Sequence, residues 1–419
     1  MNRKLFNSLI ITLIFPVLIS SCSKHNHDDI NTLPVRSLSV IINAYSASII
    51  DPELIIGSSA KYQWSMTEAP SELYSLTGVR EERATLLTYT TGTFHLKLTA
   101  EIDNKPYIRN ITVNVKNPDK TPSPYITQVY DFSPAPGQFV NKLPEYENGN
   151  TKADIISKVK EYIAGKKSGA LISLGGFGGS IVVGFDHTIV NIKGKRDFRI
   201  MGNAFYADNN PNLGFPRGGS CEPGIVMVAY DANKNGVPDE DEWYEIAGSE
   251  YYSTTTIKNY EITYFRPNRE TPLDEENNNY STIKEYIRWQ DNQGNSGYKE
   301  KNKFHPQSYF PGWISSNTIT FRGSLLPSNG VDESGDGSYW VLYAYGYGYA
   351  DNVPNNEDDS AIDISWAVNS KGERVELPGI DFIRIYTAIN QQAGWLGEVS
   401  TEISGIYDLH MAGESVKSH

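Results

Sequence analysis

The sequence predicts an all-β protein: a small immunoglobulin-type sandwich followed by a larger, jelly-roll-like β-sandwich. Three observations lead there. The 419 residues include 27 Tyr, 35 Gly and 22 Pro with only 21% charged residues, a composition of short strands and turns. Apolar and polar residues alternate with period two in many short stretches. Turn residues separate those stretches along most of the chain.

The chain opens with "MNRKLFNSLIITLIFPVLISSC". Arg3 and Lys4 give a basic start, and an apolar run follows from Leu5 to Ile19. That run is too short and too early for a membrane span, so it predicts a secretion signal. Ile19-Ser20-Ser21-Cys22 resembles a bacterial lipobox, which makes residues 1–22 a lipoprotein signal peptide with Cys22 as the lipidated residue. The alternative is an ordinary signal peptide whose cleavage site abuts a cysteine. Acyl chains would anchor an otherwise soluble chain. Residues 23–33 form a polar tether. Its Asp28 and Asp29 resemble the acidic stretch of surface-exported Bacteroidetes lipoproteins, diluted by Lys24, His25 and His27; a periplasm-facing tether is the other reading.

Cys22 and Cys221 are the two cysteines, so no disulfide framework accompanies the export signal. The net charge of -13 excludes nucleic acid as a natural partner.

Residues 34–117 predict the small sandwich. In "GTFHLKLTAEI", Phe94, Leu96, Leu98 and Ala100 share one face; Ile111, Val113 and Val115 repeat the pattern in "NITVNVKN". Trp64 lies mid-strand in "KYQWSMTEA", where a sandwich core takes a large residue. The layout resembles a divergent PKD-like module, lacking that family's acidic turn after Trp64. Residues 118–124, with Pro118, Pro122 and Pro124, form a stiffened linker. The larger sandwich is assigned to residues 125–416. It contains one helix, N-capped by Thr151 with Asp154 completing a capping box, striped by Ile155, Val159 and Ile163, and stopped at Gly165.

"LGGFGGS", from Leu174 to Ser180, is not a nucleotide loop. Ile181 stands where a dinucleotide fingerprint needs its third glycine, and a strand follows in place of a helix. The glycines mark a tight bend or bulge.

"DANKNGVPDEDE" has the ligand spacing of a calcium loop. Asp231, Asn233 and Asn235 occupy positions one, three and five, and Gly236 makes the turn. The Val237 carbonyl, Asp239 and Glu242 complete the set. Pro238 has no N–H for the bridge that pairs two EF-hands, so the prediction is a lone strand–loop–strand site holding a structural calcium ion. The bland reading is a solvated acidic turn. The acids Asp351, Glu357, Asp358, Asp359 and Asp363 fit no single cage and are read as a solvated loop, with a second bound ion as the alternative.

In "YWVLYAYGYGYADN", Tyr343, Tyr345, Tyr347 and Tyr349 alternate with small residues. As one strand this places four rings on one face. Tyr347, Tyr349 and Trp313 are the candidate ligand platform, with a sheet face packed beneath a loop as the alternative.

Together, "LGGFGGSIVVGFD", "DFRIMGNAF", "EPGIVMVAYDANKNGVPDEDEWYEIAGSEY" and "DFIRIYTAINQQAGWLGEVSTE" resemble the cell-surface lipoproteins of Bacteroidetes that carry an N-terminal PKD-like domain. The resemblance implies a lipid-anchored, outer-membrane, surface or periplasmic binding protein. It implies an association with outer-membrane nutrient uptake; the expected ligand is a glycan or a nutrient such as a corrinoid passed to an outer-membrane transporter. It brings no catalytic residues. The sequence shows no HExxH metal pair and no GxSxG elbow, so a non-catalytic binder is expected, with a secreted polysaccharide hydrolase as the alternative.

Overall fold

Period-two alternation places its apolar residues inside. A computed structural model describes residues 36–53, 60–102, 105–207, 217–272 and 281–419. The predicted signal peptide, Cys22 and the tether lie outside the described residues. Seven strands come first: β1 (Arg36–Asn43), β2 (Ser48–Ile50), β3 (Lys61–Glu68), β4 (Tyr74–Thr77), β5 (Ala84–Thr88), β6 (Gly92–Ile102) and β7 (Lys105–Lys116). One sheet has the order β1-β7-β6-β3 and the other β2-β5-β4. β1 runs parallel to β7, from Arg36 opposite Arg109 to Asn43 opposite Lys116. Phe94, Leu96, Leu98, Ile111 and Val113 from the first sheet meet Ile50, Ala84 and Leu86 from the second, with Trp64 among them. This is a two-sheet sandwich closed by one core.

A seam joins this sandwich to the rest of the chain. The Tyr45 and Tyr89 rings stack at 5.2 Å. The Thr188 N–H donates to the Tyr45 carbonyl, and Lys234 Nζ donates to the Ala47 carbonyl at 3.0 Å.

The larger sandwich is organised by one antiparallel sheet. Its strands lie in the order Ala367–Val368, Trp243–Ile246, Gly224–Ala229, Gly379–Thr387, Ser180–Val190 and Gln128–Ser133. Ile181, Val183, Val226, Val228, Ile383 and Ile385 point to one face. There they pack on helix α1 (Lys152–Ile163) through its buried stripe of Ile155, Val159 and Ile163. The helix begins with the expected reciprocal capping box between Thr151 and Asp154. On the opposite face, Ile225 and Tyr386 pack against Tyr260, Ile262 and Tyr264. Those three belong to a second sheet, ordered Ser296–Asn302, Ser281–Asp291, Ile257–Phe265, Thr318–Leu325. Among the described residues the fold is therefore all-β with one α-helix, built from sandwiched sheets. Among the described residues no helix is long and apolar enough to cross a membrane.

The glycine-rich stretch is a bend, as its chemistry predicts. A Cβ on Gly175 would stand 1.9 Å from the Ala135 carbonyl oxygen, and its φ is +69°. Only glycine permits both.

The tyrosine run departs from expectation. It is not one strand: Trp340–Tyr343 ends before the glycines, and pairing resumes at Tyr349–Ala350. Gly348, at φ +88°, turns the chain between them. Alternation is thus broken: Tyr345 and Tyr349 meet edge to face at 5.7 Å, while Tyr347 packs on Trp366.

Candidate binding cleft and metal-binding loop

Register across the central sheet builds the floor of an open cleft. Asp131 lies opposite Val182, Val182 opposite Arg384, and Arg384 opposite Met227. Met227 lies opposite Glu245, and Glu245 opposite Val368. Paired residues share a face, so one row of side chains crosses these six strands of the seven-stranded sheet. The second sheet supplies the wall through Lys258, Asn259, Glu261 and Arg322, and Tyr251 and Trp243 complete the lining. The cavity measures about 800 Å³, within the usual range of small-ligand sites.

Local strain shapes the wall. The Ile257–Phe265 strand shifts register between Ile257 and Tyr260. Within that bulge Asn259 takes φ +54°, a conformation that costs a non-glycine residue about 1 kcal/mol or more. Asn292 holds it there, donating from Nδ2 to the Asn259 carbonyl and accepting from the Glu261 N–H. Bulges of this kind re-aim side chains beside sites.

Charges in the cleft are mutually satisfied. Asp131 pairs with Lys152 at 2.5 Å, Glu245 with Lys258 at 3.1 Å, and Glu261 with Arg322. Two cations also cover aromatic faces: Lys258 Nζ lies 3.3 Å from the Tyr251 ring centroid, and the Arg384 guanidinium 4.8 Å from that of Trp243. Desolvation lowers the Lys258 pKa from its ordinary value.

The expected platform is not formed as one surface. Tyr349 is 2% exposed, and its hydroxyl accepts from the Glu250 N–H inside the core. It cannot stack a ligand, which corrects that assignment. Tyr347 packs on Trp366 at 4.7 Å, whereas Trp313 packs on Phe132 at 6.4 Å and Tyr146 at 6.1 Å. Each is partly buried against the main core. Two of the rings that line the cleft, Trp243 and Tyr251, carried no periodic signal. They could have been noticed only as aromatics beside the calcium motif.

The acidic motif sits where the sequence placed it, as the loop of an antiparallel hairpin between Gly224–Ala229 and Trp243–Ile246. Asp231 accepts from the Asn235 and Gly236 N–H groups. Asp239 Oδ2 accepts from the side-chain amides of Asn233 and Asn235, both at 2.7 Å. Glu242 accepts from the Ala232 and Asp239 N–H groups. Val237 is tied in through its N–H, which donates to Asn235 Oδ1. Gly236 takes φ +77°, as a sharp turn at the sixth position requires. Five oxygen-bearing side chains thus converge on one small volume. A hard cation suits that donor set, with the two asparagine amides presenting oxygen in place of nitrogen. At the base of the loop, Asp381 accepts from the Asp231 N–H, and burial pushes the Asp381 carboxyl up to about 6.

The second acidic stretch is not a solvated loop. Asp351 and Asp363 are 4% and 2% exposed, while Asp359 pairs with Arg196 at 2.7 Å.

Comparison with known proteins adds little. The chain matches no family model and no curated protein. Among solved structures it is similar to the PKD domain of the KIAA 1837 protein, at 20% identity and a TM-score of 0.17, covering 21% of this chain and 85% of that one. It is similar also to the PKD domain of human KIAA0319, at 16% identity and a TM-score of 0.17, over 21% and 80% of the two chains. A Photobacterium 2,6-sialyltransferase shows 15% identity and a TM-score of 0.18 over 27% and 23%. Scores at this level carry no argument, and the sandwich description rests on the sheets themselves.

Proposed function

We propose that this chain is an exported, lipid-anchored binding protein that takes an extracellular glycan into the cleft beside the central sheet, in the service of outer-membrane uptake. The observation that carries this reading is the row from Asp131 to Val368, with its charged members facing the amide and aromatic wall. A polyhydroxylated ligand needs many donors and acceptors held in place, and flat rings against its apolar faces. Binding without hydrolysis is supported by the ion pairs. A glycosidic general acid must be a carboxyl kept neutral, whereas Asp131, Glu245 and Glu261 each face a cation.

The test is a screen of neutral and acidic oligosaccharides, with a corrinoid as a separate arm, by calorimetry on the full chain. At least one oligosaccharide is expected to bind without release of new reducing ends. Tyr251→Ala should then weaken binding about fivefold, since a stacked ring contributes on the order of 1 kcal/mol, with an unchanged melting temperature. Corrinoid binding alone would reassign the ligand. Turnover of a bound glycan would establish the hydrolase.

The lipid anchor at Cys22 and the calcium ion in the loop belong to the same proposal. Cys22→Ala should move the protein from the membrane to the soluble fraction. Calcium at the loop, at ten times its dissociation constant, adds RT ln 11, about 1.4 kcal/mol, or roughly 2–4 °C. An isolated extracellular loop binds at about 10⁻⁴–10⁻³ M. Asp231→Ala and Glu242→Ala should each remove the calorimetric transition in that range. A wild-type chain with no such transition has only an acidic turn there.

A further inference from the structure

Three carboxylates from distant parts of the chain meet inside the larger sandwich. Glu222 precedes the strand Gly224–Ala229, Asp351 follows Tyr349–Ala350, and Glu402 opens Glu402–Ile403. Each offers an oxygen within 4.8 Å of the other two. Asp351 is 4% and Glu402 1% exposed. No Lys or Arg pairs with any of them among the described residues; the buried Lys299 has Glu398 as its charge partner. An uncompensated cluster of this kind is strongly unfavourable in a protein interior.

The way the carboxylates are held points to what belongs between them. Asp351 accepts from the Asn203, Ala204 and Glu402 N–H groups, at 2.8, 2.8 and 2.9 Å, which fix the carboxylate in place. Its backbone is left-handed at φ +50°, a strained state that persists only where the surroundings enforce it. A Cβ on Gly202 would lie 2.2 Å from Asp351 Oδ1, so the neighbouring chain is cut away to admit the carboxylate. Glu402 Oε1 accepts from Ser400 Oγ at 2.5 Å, yet Glu402 Oε2 has no hydrogen-bond partner. Three carboxyl groups gathered within 4.8 Å of one another in an interior call for a shared proton or a cation between them.

We infer that Glu222, Asp351 and Glu402 hold one hard divalent cation of the calcium class, at a site separate from the hairpin loop. Every donor is oxygen, which selects against soft metals. Calcium accepts an irregular set of six to eight oxygens, whereas magnesium keeps an octahedral shell with several waters; an enclosed, asymmetric triad suits the former. The ion ties together three segments that no disulfide links, and because it binds only the folded chain it stabilises that fold. The site does not depend on whether the loop binds calcium or on what the cleft binds.

The experiment uses the full chain, purified in calcium-containing buffer and desalted without chelator, with bound calcium counted by native mass spectrometry and elemental analysis. The loop exchanges too weakly to survive desalting, and Asp231→Ala removes it altogether. One retained ion per chain is expected in the wild type and in Asp231→Ala, and none when Glu402→Gln or Asp351→Asn is added. A chain that retains no ion, or retains it undiminished in both amide variants, overturns the site and leaves a proton-sharing carboxyl cluster. Should both amide variants fail to fold, Asp231→Ala alone decides: excess chelator at neutral pH must lower its melting temperature, and an unchanged melt overturns the inference.

Discussion

Asp197→Ala is expected to destabilise the whole chain by roughly 3–5 kcal/mol, because it strands several buried polar groups at once. Asp197 is fully buried. Its Oδ1 accepts from the Ile192 N–H at 2.9 Å and bonds His410 Nε2 at 2.9 Å, and its Oδ2 accepts from the Ile364 N–H at 2.9 Å. One side chain thus pins a loop, a 3-10 turn and the C-terminal turn. Alanine leaves both N–H groups without partners in a dry interior, at about 1–3 kcal/mol each. Burial pushes the Asp197 carboxyl up to about 7, above the unfolded value near 3.8. Between those values the folded state binds the extra proton, so this group's contribution to stability falls as pH rises from about 4 to about 7 and is flat above that. Urea unfolding of wild type and variant across that range measures it. The gap between them should narrow with rising pH; a gap under 1 kcal/mol at every pH refutes the pinning role.

The second large effect is expected at Trp64→Ala, again roughly 3–5 kcal/mol. Trp64 is 2% exposed, stands opposite Leu98 across β3 and β6, and donates from Nε1 to the Glu81 carbonyl at 3.0 Å. Its loss opens a cavity between the two sheets of the small sandwich and leaves that carbonyl without its partner. Trp64→Phe keeps most of the volume and should cost clearly less. Far-UV circular dichroism during urea unfolding reads both. Equal effects from the two variants would show that the hydrogen bond matters and the volume does not.

What could be read from the sequence was what local periodicity controls. Phe94, Leu96, Leu98 and Ala100 are buried because a strand repeats every two residues, and α1 is bounded by residues whose capping chemistry acts over one turn. The hairpin position of the acidic loop followed from the strand-like residues before it. Failures arose where position depends on register or on a single backbone angle. The cleft floor draws one residue from each of six strands spread along the chain from Asp131 to Arg384, so no window of sequence contains it. Tyr349 looked like the last rung of an exposed ladder. The Gly348 turn redirects it, and Gly248 leaves the room its ring occupies, since a Cβ there would lie 2.5 Å from that ring. Asp351 looked like one more solvated acid, until the left-handed backbone at that residue carried it inward. Composition records that such residues exist, but only the pairing of distant strands decides which of them meet.

The parallel pairing of β1 with β7 has a mechanical consequence. Residue 36 lies at one end of the paired edge and residue 116 at the other. Tension applied between the two ends of the small sandwich therefore pulls these neighbours along their own axes in opposite directions. All eight paired positions share the force together, as in a lap joint, and cannot be peeled apart one by one. With about 3.3 Å of rise per residue, the overlap is roughly 25 Å long. A module built this way is stiff in the direction of its own chain, and single-molecule pulling through residues 36 and 117 should show a rupture force well above that for pulling across the β3 edge.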